Sequence, residues 1–190
     1  MFARPSGLGP APSRCQTLAM IRLATGSDSA ALLTLQRRLD AQSSFMMYEA
    51  DERDDDLSGV RHRLEAHHDT GSFDLVAMVD RDEQPPALVG WLAVEVAPFR
   101  RARHVGYLVL GVDSEFAGRG TGGALLDAAV TEASGRGLRR LEFTVMTDNV
   151  RAIHLYLRHG FEVEGLRRQA MRREGHLVDE YFMARLLPDR

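Results

Sequence analysis

The stretch Val112-Asp-Ser-Glu-Phe-Ala117-Gly118-Arg119-Gly120-Thr-Gly122-Gly123-Ala-Leu125-Leu126 decides how this chain of 190 residues is read. It runs from an apolar strand pattern over 105–112, through glycines, into a helix with apolar residues at Ala124, Leu125, Ala128, Ala129 and Ala133. Glycines at such a junction let the backbone come close to a ligand. The free N–H groups and the dipole of the helix N-terminus then form a pocket for phosphate oxygens. The alternative is that the glycines only punctuate a loop. Gly118, Gly120 and Gly123 also spell G-x-G-x-x-G, which invites a dinucleotide-binding reading. That motif turns tightly off the first strand of its domain, whereas residues 113–117 separate this strand from the glycines and several strands come earlier. A nicotinamide-dependent oxidoreductase is therefore the second reading.

Outward from the glycines, residues 19–24 read as a strand and Leu32, Leu35 and Leu39 fall at helical spacing after Asp28, an N-cap candidate. A second helix is compatible with the segment from the acidic run Asp51–Asp56 to about His67. Strands are expected over 73–79 and 87–96, joined by a turn containing Asp82 and Pro85-Pro86. The run 105–112 has the pattern of a central strand covered on both faces. Beyond the glycines come a strand over 141–147 and a helix over 152–159 ended by Gly160. A hairpin of 161–168 with 176–186 about Glu174-Gly175 closes the pattern.

Composition excludes several classes. The balance of 44% hydrophobic and 27% charged residues is that of a globular domain, with 1–17 (Pro-, Gly- and Ser-rich) a flexible leader and 18–190 one domain. All 24 basic residues are arginine, so a Walker phosphate loop and a lysine Schiff base are both impossible. A net charge of -3 gives no basic face for nucleic acid. No apolar run approaches a membrane span or a signal peptide, which leads to an expectation of a cytoplasmic protein. Cys15 stands alone and the seven histidines show no ligand spacing, so no metal is expected.

The chain resembles the GCN5-related N-acetyltransferase superfamily, in its bacterial small-molecule type, over residues 20–187. Three pieces carry the resemblance. The first is the glycine stretch above, similar to the family's acetyl-CoA signature [Q/R]-x-x-G-x-[G/A], with Ala117 at the Q/R position. The second is Asn149-Val-Arg-Ala152-Ile-His-Leu-Tyr156-Leu-Arg-His-Gly160-Phe161, similar to N-x-x-A-x-x-x-Y-x-x-x-G-F. The third is the final strand pattern Glu174-Gly175-His-Leu-Val-Asp179-Glu180-Tyr181-Phe-Met183.

The resemblance implies an α/β fold: a mixed central sheet of about seven strands flanked by helices, with two central parallel strands splayed apart. It implies acetyl-CoA as cosubstrate and a small-molecule primary amine as acceptor, such as an amino acid, polyamine or aminated drug. A protein N-terminus is a second acceptor class, and a non-catalytic acyl-CoA sensor is the remaining alternative. A homodimer is compatible with the family. Leu110, Val112, Ala117, Gly118, Arg119, Gly120, Gly122 and Asn149 are assigned to the cofactor. Tyr156 is the expected general acid, against the alternative of a core aromatic. The base is open among His104, Glu95 and Glu49, or a water chain. The acidic run is read as a solvated helix start or an attractor for a cationic amine. Arg167, Arg168, Arg172 and Arg173 are read as a carboxylate clamp or an exposed edge.

Overall fold

The computed structural model describes residues 19–81 and 84–188. The leader at 1–17 and Asp82 of the expected turn lie outside them. Seven strands, β1 (Met20–Leu23), β2 (Phe73–Arg81), β3 (Gln84–Val96), β4 (Val105–Val112), β5 (Arg140–Met146), β6 (Glu162–Arg173) and β7 (His176–Leu186), form one sheet in the order β1-β2-β3-β4-β5-β7-β6. Every neighbour is antiparallel except β4 with β5. The helices are α1 (Ser29–Gln42), α2 (Leu57–Thr70), α3 (Thr121–Gly135) and α4 (Val150–Arg158).

Each face of the sheet has its own core. Leu32, Leu35 and Leu39 of α1 and Leu64 of α2 pack on Val76, Leu88, Trp91 and Ala93. On the other face Leu125, Leu126 and Ala129 of α3 and Tyr156 of α4 pack on Leu92, Leu108, Leu141 and Phe143. The second helix starts where the acidic run ends, because Asp56 accepts from Gly59 N at 2.8 Å and caps it. Two further residues of the run are paired: Arg37 reaches Asp55 at 3.0 Å, and Arg53 reaches Asp40 of α1 at 2.5 Å.

Three expectations change. Asp28 is not a side-chain cap for α1. Its carboxylate accepts from Thr25 N at 2.8 Å and holds Arg22 with two 2.7 Å bonds, so it closes a short 3-10 turn one step earlier. Pro85 and Pro86 belong to the opening of β3 rather than to the turn, which proline tolerates at a strand's start. The last hairpin is longer than its apolar pattern, with β6 running to Arg173 and the turn made by Glu174 and Gly175 at φ 49° and 81°.

Asp74 on β2 ties α2 to the sheet. Its buried carboxylate accepts from Arg63 Nη1 at 2.9 Å and Trp91 Nε1 at 2.5 Å, and His67 Nδ1 lies 2.7 Å away. Burial opposes its ionisation, but the His67 hydrogen bond, the Arg63 charge and the Trp91 donor outweigh it, so the carboxyl sits below its ordinary value. A carboxyl depressed in this way adds stability above the ordinary carboxylate range that is lost as pH falls through it. Asp74→Ala strands a guanidinium and an indole N–H, and should cost about 3 kcal/mol in chemical denaturation. The deficit relative to the parent should shrink as pH drops below about 4. A variant within 0.5 kcal/mol of the parent, roughly the level of an ordinary surface change, would show the cluster to be incidental.

Candidate active site

The central pair of strands is joined at one end only. Val105, Gly106 and Tyr107 pair with Arg140, Leu141 and Glu142, and no pair follows. Asp113 N donates to Val89 O at 2.9 Å in register with the β3–β4 ladder. Bonded pairs alternate along an antiparallel ladder, so odd-numbered residues of β4 bond to β3 and even-numbered ones turn their backbone groups toward β5. From the carbonyl of Leu108 through Leu110 to Val112 these groups face a widening gap. The same reasoning applies to β5, where Thr147 N donates to Asp179 O at 2.9 Å in register with β7. The backbone of Thr144 and Met146 therefore faces the gap from the other side. Leu110 and Val112, assigned from sequence to a cofactor's arm, lie along this opening.

At the wide end of the gap the chain leaves β4 at Asp113. This buried carboxylate accepts from Glu115 N at 3.1 Å and from Gln42 Nε2 of α1 at 3.3 Å, and forms an ion pair with Arg38 of α1, Nε 2.9 Å away. The turn that follows is thereby fixed against α1. Gly118 and Gly120 have φ of 80° and 87°, the left-handed region that side chains disfavour. Gly120 caps α3, whose first backbone bond is Ala124 N to Gly120 O at 3.0 Å. The N–H groups of Thr121, Gly122 and Gly123 are left pointing out of the helix end. Gly122 has a separate reason: a Cβ there would stand 3.1 Å from Leu155 Cδ2 of α4. Arg119 is exposed and rests over the Phe116 ring at 5.1 Å, while Ala117 offers no polar group. Asn149 caps α4 by accepting from Ala152 N at 3.2 Å, which leaves its amide nitrogen as a donor.

Tyr156 comes to the gap from the α4 side. It is 7% exposed and stacked with Phe143 (ring centroids 4.1 Å apart) and Phe161. Burial, with a smaller contribution from Tyr107, pushes its hydroxyl well above the ordinary phenol value. That contribution reveals a partner the apolar reading of β4 concealed. Tyr107 sits on the last β4–β5 pair, 37% exposed, and its hydroxyl meets Thr144 Oγ1 at 3.1 Å across the opening. The central strand is thus not covered on both faces at this point. Val109 packs with the α1 core and Gly111 lies against Leu39, so alternation places Tyr107 on that same face, opposite Tyr156.

The base candidates separate. Glu95 is directly cross-strand from Tyr107, is exposed, and makes no ion pair among the described residues. Glu142, the other neighbour of Tyr107, is tied to Arg140 at 2.5 Å. His104 lies three residues before Tyr107, about 10 Å back along the strand. Its carbonyl accepts from Arg139 N and Arg140 N at 2.8 and 3.2 Å and closes the joined end. Glu49 is exposed in the connection between α1 and α2. Arg167 pairs with buried Glu180 at 2.8 Å, and Arg173 pairs with Asp148 while lying over Phe45 at 5.0 Å. Arg168 is exposed on β6 and Arg172 lies farther along the same edge strand. Among the described residues no cluster of metal-ligating side chains is present, and no helix is long and apolar enough to cross a membrane.

A sheet split into two halves joined at three pairs, with a glycine-rich helix N-terminus at the mouth, is the arrangement that the resemblance to the N-acetyltransferases implies. Residues 35–161 match the model of the Acetyltransferase (GNAT) family, and the chain belongs to that family. It is an N-acetyltransferase enzyme. Over 118 residues it is 38% identical to the L-amino acid N-acetyltransferase AaaT of Escherichia coli strain K12, covering 61% of this chain and 69% of that one. It is 32% identical over 129 residues to the mycothiol acetyltransferase of Propionibacterium freudenreichii, which covers 58% of this chain and 41% of that protein. The crystal structure of a GNAT-family acetyltransferase from Streptococcus pneumoniae superposes with a TM-score of 0.82 at 26% identity, over 90% of this chain and 99% of that one. A Salmonella typhimurium acetyltransferase solved with acetyl-CoA shares the fold, with a TM-score of 0.77 at 21% identity, over 90% and 95% of the two chains.

The helix end offers a direct test. Gly120→Ala and Gly120→Glu carry the same backbone penalty at φ 87°, about 1 kcal/mol, and nothing lies within 4 Å to clash. Only the glutamate puts negative charge before the open amides. Gly120→Glu should abolish acetyl-CoA binding in a titration, while Gly120→Ala keeps most of it. Equal affinities for the two variants would remove the anion-binding assignment.

Proposed function

We propose that this enzyme transfers the acetyl group of acetyl-CoA to the primary amine of a small molecule, with an L-amino acid the first acceptor to try. The observation that carries the reading is the one-ended gap. Its unpaired backbone groups run from the carbonyl of Leu108 to the helix end, and they fit an extended chain with amide groups and a pyrophosphate at one end. Acetyl-CoA supplies the activated thioester. Leu110, Val112 and Asn149 hold its arm, and the loop Ala117, Gly118, Arg119, Gly120 and Gly122 receives its phosphates. The acceptor class is supported by the 38% identity to an enzyme named for L-amino acids.

The residues around the joined end divide the proton work. Tyr156, buried on the α4 side and held protonated, donates to the leaving sulfur. Glu95, unpaired beside Tyr107 on the opposite face, takes the proton released by the attacking amine through Tyr107 or water. Alignment along the strands supplies the remaining catalysis. His104 is left with a structural part.

Release of free thiol from acetyl-CoA, measured against amino acids, polyamines, an aminated drug and a peptide α-amine, tests the function. Turnover with an amino acid is expected. Acetyl-CoA binding without thiol release for any amine would leave a non-catalytic acyl-CoA binder. A preference for the peptide would move the acceptor class to protein N-termini.

Tyr156→Phe keeps the ring and removes the hydroxyl. Turnover should fall by something within ~10²–10⁴, with the KM for acetyl-CoA little changed. Because the hydroxyl sits above its ordinary value, it remains a donor throughout neutral pH, and the parent's kcat should show no falling limb below about pH 10. A single-turnover rate for the variant within twofold of the parent would return Tyr156 to a purely packing role.

A further inference from the structure

We propose that Arg151 is the phosphate-binding cation of this enzyme, delivered from α4 to the glycine loop in place of the side chain that Ala117 lacks, where it engages the pyrophosphate of acetyl-CoA. The inference rests on the acetyl-CoA reading above.

The position of Arg151 follows from how α4 is locked to α3. Arg151, Leu155 and His159 are spaced by four and share one face of the helix. Leu155 lies against Gly122, and His159 Nε2 stands 2.9 Å from where a Cβ of Gly123 would be. His159 Nδ1 also meets Asp127 Oδ1 of α3 at 2.9 Å. Two of the three residues on this face are thus fixed against the first turn of α3. The third is level with the loop: Arg151 Nη2 stands 3.5 Å from the Cβ point of Gly118. Among the described residues no carboxylate or carbonyl pairs with Arg151, although most arginines on the opposite sheet face have partners.

A guanidinium and a helix N-terminus both present positive charge to the same point, and an anion there satisfies both. Arg119, the loop's own cation, lies over Phe116, and Arg151 adds a second positive charge from α4. A pyrophosphate bridging the open amides and Arg151 gives the geometry a use. The sequence hid this, because the arginine lies 34 positions from Ala117 and on another element.

Calorimetric titration of acetyl-CoA tests the proposal. Arg151→Ala should bind about tenfold more weakly at low salt, the scale of one exposed charge-assisted contact, and the difference should shrink in 0.5 M salt. Arg158→Ala, a control about 10 Å away along α4, should match the parent. Ala117→Arg in the Arg151→Ala background should recover most of the loss, because both side chains serve the same phosphates. The loss should persist with 3′-dephospho-CoA. If it vanishes there, Arg151 serves the 3′-phosphate and the pyrophosphate assignment is wrong. An Arg151→Ala affinity within twofold of the parent, or a loss indifferent to salt, overturns the inference. A parent that does not bind acetyl-CoA removes the underlying reading, whereas a binding parent with an indifferent Arg151→Ala removes only the inference.

Discussion

Everything at this site depends on three backbone pairs. The strands β1 to β4 form one half-sheet and β5, β7 and β6 another, and Val105, Gly106 and Tyr107 are the only residues of β4 that join them. Beyond this hinge the two strands keep their outer neighbours: β4 holds β3 over seven pairs and β5 holds β7 over seven. Closing the gap would satisfy the inner backbone groups, each of which costs about 1–3 kcal/mol if buried without a partner. That the gap stays open means that the packing on its two faces opposes closure.

The two cores provide that opposition. On one face Phe143 stacks with Tyr156 and Phe161, which wedges α4 over β5. On the other, Leu39 of α1 sits against Gly111, where a Cβ would stand 2.5 Å from Leu39 Cδ1, and Arg38 and Gln42 hold Asp113. β4 is therefore anchored to α1 and β5 to α4. The helix α3, which follows β4 after the glycine loop, carries the open amides at the wide end of the gap. Residues that read as packing, such as Leu39 and Phe143, are as much a part of the site as the glycines.

Much of this was legible in the sequence. Periodicity located the elements, and the glycine, N-x-x-A and terminal-strand patterns gave the family, because each is a local solution to a local constraint: a left-handed loop, a capped helix, a closing hairpin. What stayed hidden was set by long-range register. Tyr107 was counted as one more apolar residue of β4, and only the pairing with Glu142 and the bond to Thr144 show its hydroxyl spanning the hinge. In the proposed reading Glu95 rather than His104 takes the base role, because long-range register sets Glu95 cross-strand from Tyr107 and His104 before the joined end, a distinction no local pattern carries. Asp28 stands at the N-cap position of α1 that the pattern suggests, but its carboxylate reaches back to Thr25 N instead of capping the helix, which a local pattern does not distinguish.

The faces of the sheet also impose an order on the chemistry. A thioester laid in the gap has Tyr156 on the α4 side and Tyr107 on the α1 side, and neither hydroxyl can be exchanged for the other. Tyr156 is packed against two aromatic rings and kept neutral by burial, so in the proposed reaction it is present as the hydroxyl and not the phenolate. Tyr107 is more than a third exposed, bonded to Thr144 and next to an unpaired carboxylate, which suits the wet side where an amine arrives and sheds its proton. In the proposed reaction the proton released by the amine leaves on the α1 face and the proton given to the sulfur comes from the α4 face, so the sheet separates the two transfers. The α1 face also carries Phe45, Arg173 and the Glu180–Arg167 pair, and an acceptor entering beside Tyr107 in this reading meets side chains distinct from the loop proposed to receive the phosphates.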